Sequence, residues 1–118
     1  MEEALIKRTM PNSIEAEQSV IGSMMMDRAA IIAASETLIA EDFYHHQYAV
    51  VFDSIIELFN HDDPVDFVTL QNKLKEKDVP PEISSLEYIN NLVAAVPTSA
   101  NIRYYANIVK EKSMLRKL

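Results

Sequence analysis

The chain has 118 residues, which suits one small domain with a modest core and leaves no room for a second. Hydrophobic residues make up 48% and charged residues 25%, which excludes a disordered tail, and no apolar run approaches the ~20 residues that a membrane span needs. The net charge of -7 argues against a surface built to bind nucleic acid, and the single glycine excludes a glycine-rich phosphate loop. There are no cysteines and no apolar block of a secretory signal, so we expect a cytoplasmic protein without disulfides.

The start of the chain predicts a leader followed by a capped helix. Residues 1–10 are interpreted as a flexible leader. Asn12 or Ser13 then caps the first helix, and Glu15 completes a capping box if Asn12 is the cap. Gly22 lies inside this helix, where glycine costs roughly 1 kcal/mol relative to alanine. We therefore expect another helix to approach closely at Gly22.

The middle of the chain predicts four further helices, because apolar residues recur there at helical spacing. They cover about residues 29–36, 46–60, 67–77 and 85–96. The side chains expected to point inward include Ile39, Phe67, Leu70, Leu74 and Leu86. Ser84 and Glu87 have the spacing of a second capping box, at the start of the fourth of these helices.

The last predicted helix, capped by Thr98 or Ser99, carries two apolar faces. One face is formed by Ile102, Tyr105, Ala106 and Val109, and the other by Tyr104, Ile108, Leu115 and Leu118. A helix with two apolar faces usually packs against two different partners. No glycine or proline ends the helix, which predicts that it continues in a longer chain. No alternating strand pattern occurs, so the fold class is all-α, a compact bundle of about six short helices.

Three groups of residues could carry chemistry, and each has a structural interpretation. His45 and His46 are neighbours on a helix and point about 100° apart, so with His61 they do not converge on a metal ion. The acids lie mostly where helix caps and first turns favour negative charge, which predicts no catalytic pair. A local basic stretch, formed by Lys110, Lys112, Arg116 and Lys117, is interpreted as a solvated helix face, with nucleic-acid contact as the alternative.

Five blocks of sequence resemble the DnaB family of bacterial replicative DNA helicases. Residues 11–22, PNSIEAEQSVIG, are similar to the opening signature of that family. The other four blocks follow in the family's order at residues 41–44, 64–69, 96–102 and 104–116. Two departures are a serine pair, Ser84 and Ser85, where the family often has two glycines, and Tyr48 where a histidine is common. These departures alter local turns and leave the fold intact.

The resemblance implies that the parent protein is a ring-shaped hexamer whose ATPase motor, with ATP and Mg²⁺, lies C-terminal to this segment. The segment itself would hold no cofactor, no metal and no catalytic site. N-terminal domains of the family form a collar, made of a helical head followed by a long helical hairpin. Residues 11–100 correspond to the head, and residues 101–118 to the first arm of the hairpin, cut before its turn.

The resemblance also implies the partners. Neighbouring subunits would pack on Tyr104, Ile108, Leu115 and Leu118. A DnaG-type primase docks on the collar, and the family's primase-response positions match Glu15 and Tyr88. Loader proteins are further partners in some bacteria, and little intrinsic nucleic-acid binding is expected. The alternative is a free-standing helical adaptor or loader-like interaction protein that uses the same domain.

Overall fold

Six α-helices and one 3-10 turn account for most of the computed structural model, which describes residues 10–96 and 98–118. The helices are α1 (Ile14–Met26), α2 (Arg28–Thr37), α3 (His46–Asn60), α4 (Phe67–Lys75), α5 (Leu86–Ala94) and α6 (Ile102–Arg116), and the 3-10 turn Ala40–Asp42 lies between α2 and α3. The described residues contain no strand, and the prediction of an all-α bundle of about six helices is confirmed. The predicted leader at residues 1–10 lies, apart from Met10, outside the described residues.

The first helix, α1, is the centre of the bundle and packs against α2, α3, α5 and α6. Its Ile21 and Met24 are fully buried and meet Ile55 of α3 and the leucines Leu70 and Leu74 of α4 in one continuous core. Fully burying such a side chain contributes about 1.5–3 kcal/mol. The amphipathic stripes therefore supply the stability that holds these short helices in place.

Gly22 lies where α1 and α5 cross, and the expected close approach is confirmed. A Cβ atom at this position would lie 2.5 Å from Cγ2 of Val96 and 2.6 Å from the carbonyl oxygen of Leu92. Both separations are below any normal carbon contact, so only glycine permits this crossing without movement of α5.

The cap of α1 is Ser13 and not Asn12. Ser13 Oγ accepts a hydrogen bond from the amide of Ala16 at 3.2 Å, whereas the Asn12 side chain donates to the Met10 carbonyl at 3.0 Å. The predicted capping box with Glu15 is therefore wrong, because the backbone becomes helical one residue later than Asn12 would require.

Two later caps are also displaced from their predicted positions. Ser85, and not Ser84, caps α5, since the Ser84 hydroxyl donates to the carbonyl of Pro81 instead. Thr98 and Ser99 stabilise the loop before α6: Thr98 Oγ1 accepts from the amide of Ala100, and Ser99 Oγ donates to Asp27. The helix begins only at Ile102, after a residue whose side chain makes no capping bond.

Three apolar side chains predicted to point inward are exposed. Ile39 follows α2 in an extended conformation, which sends successive side chains to opposite sides, so Leu38 is buried and Ile39 is 56% exposed. Phe67 and Leu86 are the first residues of α4 and α5, and both lie open to solvent. The predicted helical spacing is correct for both residues, but no neighbouring element covers the first turn of α4 or of α5.

Candidate assembly and docking surfaces

The inner face of α6 packs on the other helices as the sequence predicted. Ile102, Ala106 and Val109 are buried against α1 and α2, and Tyr105 is partly buried beside them. This face follows from the helical spacing of its apolar residues. It leaves the opposite side of α6 available for other contacts.

The outer face of α6 exposes large apolar side chains at three of the four predicted positions. Tyr104 is 68% exposed, Leu118 is fully exposed, and Leu115 is also open to solvent. Met114, which the sequence reasoning missed, is exposed as well and lines a groove of about 390 Å³ together with Leu115 and Leu118. A cluster of exposed aliphatic side chains on one helix is typical of a contact surface.

Ile108, the fourth predicted interface residue, is placed differently. It is partly buried against the core and lines a small depression between α1 and α6 with Tyr105 and Glu15. The structure therefore groups Ile108 with Glu15 and not with the exposed end of α6.

A buried carboxylate joins the 3-10 turn to α6. Asp42 has no exposed surface, and its oxygens accept hydrogen bonds from Ser113 Oγ at 2.7 Å and from the Ile39 amide at 2.9 Å. Lys110 Nζ completes the cluster at 3.3 and 3.4 Å. Burial alone would raise the pKa of Asp42, but the hydrogen bonds from Ile39, Ser113 and Lys110 outweigh it and hold the pKa below its ordinary value.

The last turn of α6 is attached to the same region through Arg116. Its guanidinium donates from Nη2 to the Asp42 carbonyl at 2.7 Å and from Nη1 to the Pro11 carbonyl at 2.8 Å, and it lies over the ring of Tyr44. Lys117 Nζ lies 3.8 Å from the Asp42 carboxylate. The interpretation of this basic stretch as a solvated face is therefore wrong for Lys110 and Arg116.

Glu17 is a second buried acid that the sequence reasoning missed. Its carboxylate accepts hydrogen bonds from the amides of Tyr44 at 3.0 Å and His45 at 3.1 Å. These amides precede the first turn of α3, where backbone donors lack helical partners. Glu17 thus caps the start of α3 rather than stabilising its own helix. Because residues 44 and 45 are distant in the sequence, no local motif could predict this contact.

The two predicted primase-docking residues lie in different surroundings. Glu15 is exposed in the first turn of α1. Tyr88 of α5 is half-buried, and it does not line the depression that Glu15 shares with Ile108. Burial raises the pKa of the Tyr88 hydroxyl, as does the nearby Tyr48, and the hydroxyl oxygen has almost no exposed surface.

The histidines are surface or ring-packing residues in this fold. The His45 ring packs edge-on against the rings of Tyr44 and Tyr48, whereas His46 and His61 are exposed. Across residues 10–96 and 98–118, no three His, Cys, Asp or Glu side chains are placed to share a metal ion. None of the helices described here is long and apolar enough to cross a bilayer.

The sequence matches the family model described as the DnaB-like helicase N terminal domain over residues 9–111. The chain belongs to this family. It is 44% identical, over its whole length, to the replicative DNA helicase DnaB of Geobacillus stearothermophilus and 40% identical to the replicative DNA helicase DnaC of Bacillus subtilis. It spans 26% of the length of each of these relatives, as their N-terminal domain.

Solved structures agree with this assignment. The fold is similar to the crystal structure of the N-terminal domain of DnaB helicase from Mycobacterium tuberculosis, with a TM-score of 0.88, 38% identity, and coverage of 93% of this chain and 79% of that one. It is also similar to the N-terminal domain of the Helicobacter pylori DnaB helicase, a structure described with its interactions with primase. There the TM-score is 0.72, the identity 25%, and the coverage 87% of this chain and 80% of that one.

Proposed function

We propose that this DnaB-type domain is part of the N-terminal collar of a hexameric replicative DNA helicase in the bacterial cytoplasm. Residues 11–100 form the head, and residues 101–118 form the first arm of a helical hairpin. The observation that carries the proposal is the combination of family membership with one helix, α6, that is buried on one side and apolar on the other. ATP and Mg²⁺ then act in a motor domain elsewhere in the protein, and loader proteins act on the assembled ring.

The outer face of α6 is the proposed contact with neighbouring subunits. It presents Tyr104, Leu115 and Leu118, whereas Ile108 is partly buried against the core. Burying such side chains against a second helix removes apolar surface from water, which favours association. The gain from one helix face is small, however, and association costs several kcal/mol, so the domain alone is expected to self-associate weakly.

Sedimentation equilibrium over a wide range of concentrations tests this contact. We expect reversible association only at concentrations of roughly 0.1 mM and above. Leu115→Glu should abolish it, because it places a charge on the apolar face. Val68→Glu is the matched control, since Val68 is an exposed aliphatic residue on α4, away from this face. A dimer that persists at roughly nanomolar concentration, or association that Leu115→Glu leaves unchanged, would refute this interface.

Primase docking is the second part of the proposal, and it is supported by the primase interactions described for the Helicobacter pylori domain. The candidate residues are Glu15, which is exposed, and Tyr88, which is half-buried. The Tyr88 hydroxyl itself is buried, so a docked partner would contact the exposed part of the residue rather than that oxygen.

Calorimetric titration of the domain with the C-terminal domain of a DnaG-type primase tests the docking residues. Tyr88→Phe retains the ring and its packing, so a loss of affinity would report the hydroxyl alone. Glu15→Gln retains the shape and removes the charge. Asp78→Asn, on the loop after α4, is a matched charge control. Binding that is unchanged in both variants would exclude a role for the Glu15 charge and the Tyr88 hydroxyl, and no binding at all would exclude primase docking by this domain.

A further inference from the structure

Two grooves, each lined mainly by apolar residues, flank the 3-10 turn and share no residue with the groove on the outer face of α6. The first groove, of about 360 Å³, lies between the end of α2 and α3 and is lined by Leu38, Phe52 and Ile56. The second, of about 340 Å³, lies along the start of α3 and is lined by Phe43 and Ala49. Both volumes suit an apolar side chain of a partner.

A ridge formed by residues 39–41 separates the two grooves. Ala40 and Glu41 line both grooves, and Ile39 lines the first and is 56% exposed. The sequence predicted that Ile39 points into the core, but its side chain lies open to solvent instead.

The ridge is held in place from below. Asp42, the last residue of the 3-10 turn, bonds to the amide of Ile39 and to Ser113 of α6, so the turn is fixed at both ends. A preformed surface binds a partner with a smaller loss of conformational entropy than a mobile loop does. The backbone at Ile39 is therefore held in place.

The rim of the grooves carries negative charge. Glu41 and Asp53 are both exposed at the first groove, whose lining residues include no lysine or arginine, whereas Arg116 lies over Tyr44 at the second. Charge complementarity at Glu41 and Asp53 favours a basic partner.

We propose that the ridge at residues 39–41 and its two grooves form a docking surface for a basic segment of another protein. Apolar side chains of that segment fill the grooves beside Ile39, and its lysines or arginines face Glu41 and Asp53. This surface is distinct from the proposed primase-docking residues, because neither Glu15 nor Tyr88 lines these grooves. It rests on the proposed function only in assuming that a collar domain docks other proteins.

The probe for this surface is a synthetic helical peptide with leucines on one face and lysines on the other, titrated into ¹⁵N-labelled domain. The control peptide carries glutamates in place of the lysines. We expect saturable shifts of backbone amides at residues 38–44 and 52–56 with the lysine peptide and none with the glutamate peptide. Ile39→Ser should weaken binding by about fivefold or more, the effect of truncating a central contact.

Matched variants separate this proposal from the others. Val68→Ser removes an exposed aliphatic side chain from α4 and should leave the peptide affinity unchanged. Glu41→Gln combined with Asp53→Asn should weaken binding and its salt dependence. Circular dichroism verifies that each variant is folded. Shifts confined to the outer face of α6, equal binding of both peptides, or full affinity in Ile39→Ser would overturn the proposal, whereas the primase and sedimentation results would stand.

Discussion

The crossing of α1 and α5 at Gly22 predicts that even one methyl group destabilises the domain. In an open helix, Gly22→Ala would stabilise by up to about 1 kcal/mol, because alanine has the higher helix propensity. Here the new Cβ would lie 2.5 Å from Val96 Cγ2 and 2.6 Å from the Leu92 carbonyl oxygen. The first contact can relax by side-chain rotation, but the second requires the backbone of α5 to move.

Overpacking of this kind costs about 1–3 kcal/mol, and more where backbone must shift, so the clash outweighs the gain in propensity. We expect a net destabilisation of about 1–2 kcal/mol for Gly22→Ala, which lowers the Tm by about 3–10 °C for a domain of this size. Thermal unfolding followed by circular dichroism measures it. Gly22→Leu should be more severe, since its longer side chain cannot fit between the helices.

A double-mutant cycle with Val96→Ala isolates the cause. Val96→Ala removes one of the two clashing groups but leaves the Leu92 carbonyl, so Gly22→Ala should cost less in that background by about 0.5–1 kcal/mol. The reasoning is refuted if Gly22→Ala leaves the Tm unchanged or raises it, because α5 would then not lie against Gly22.

Three further predictions concern charge. Asp42→Asn should destabilise by about 1–3 kcal/mol near neutral pH, measured by urea unfolding, because its hydrogen bonds to Ser113 and Lys110 are charge-assisted. Since folding lowers the pKa of Asp42, its stabilising effect is present above the ordinary value of 3.8 and is lost as the pH falls through the lower folded value. The gap in stability between the parent and Asp42→Asn should therefore narrow below about pH 4, and a gap that widens there would contradict the assignment. Glu17→Gln should cost about 1–3 kcal/mol, because an amide offers one acceptor to the two backbone donors at the start of α3, and Glu15→Gln, at an exposed site on the same helix, serves as its control. Single-stranded DNA should bind poorly at about 150 mM salt, since the net charge is -7 and Lys110 is committed to Asp42; sub-micromolar binding by fluorescence anisotropy would show otherwise.

The secondary structure and much of the core could be read from the sequence. Helical spacing predicted α3 at its observed bounds, and it predicted the inward direction of Leu70 and Leu74 in α4. A lone glycine inside an otherwise regular helix predicted the close crossing at Gly22, because no local turn requires it there. Periodicity also predicted an apolar outer face on α6, where Tyr104, Leu115 and Leu118 are exposed.

The tertiary structure decided which polar groups meet. Asp42 and Ser113 lie 71 residues apart and bond only because the 3-10 turn packs against α6, so no spacing rule points from one to the other. Glu17 likewise reaches amides 27 and 28 residues away, at the start of a different helix. Periodicity indicates which side of a helix is apolar. It does not indicate which element packs against that side, or how many turns of the helix that element covers. For that reason the burial of these two acids, and the exposure of Ile39, became apparent only once the helices were packed together.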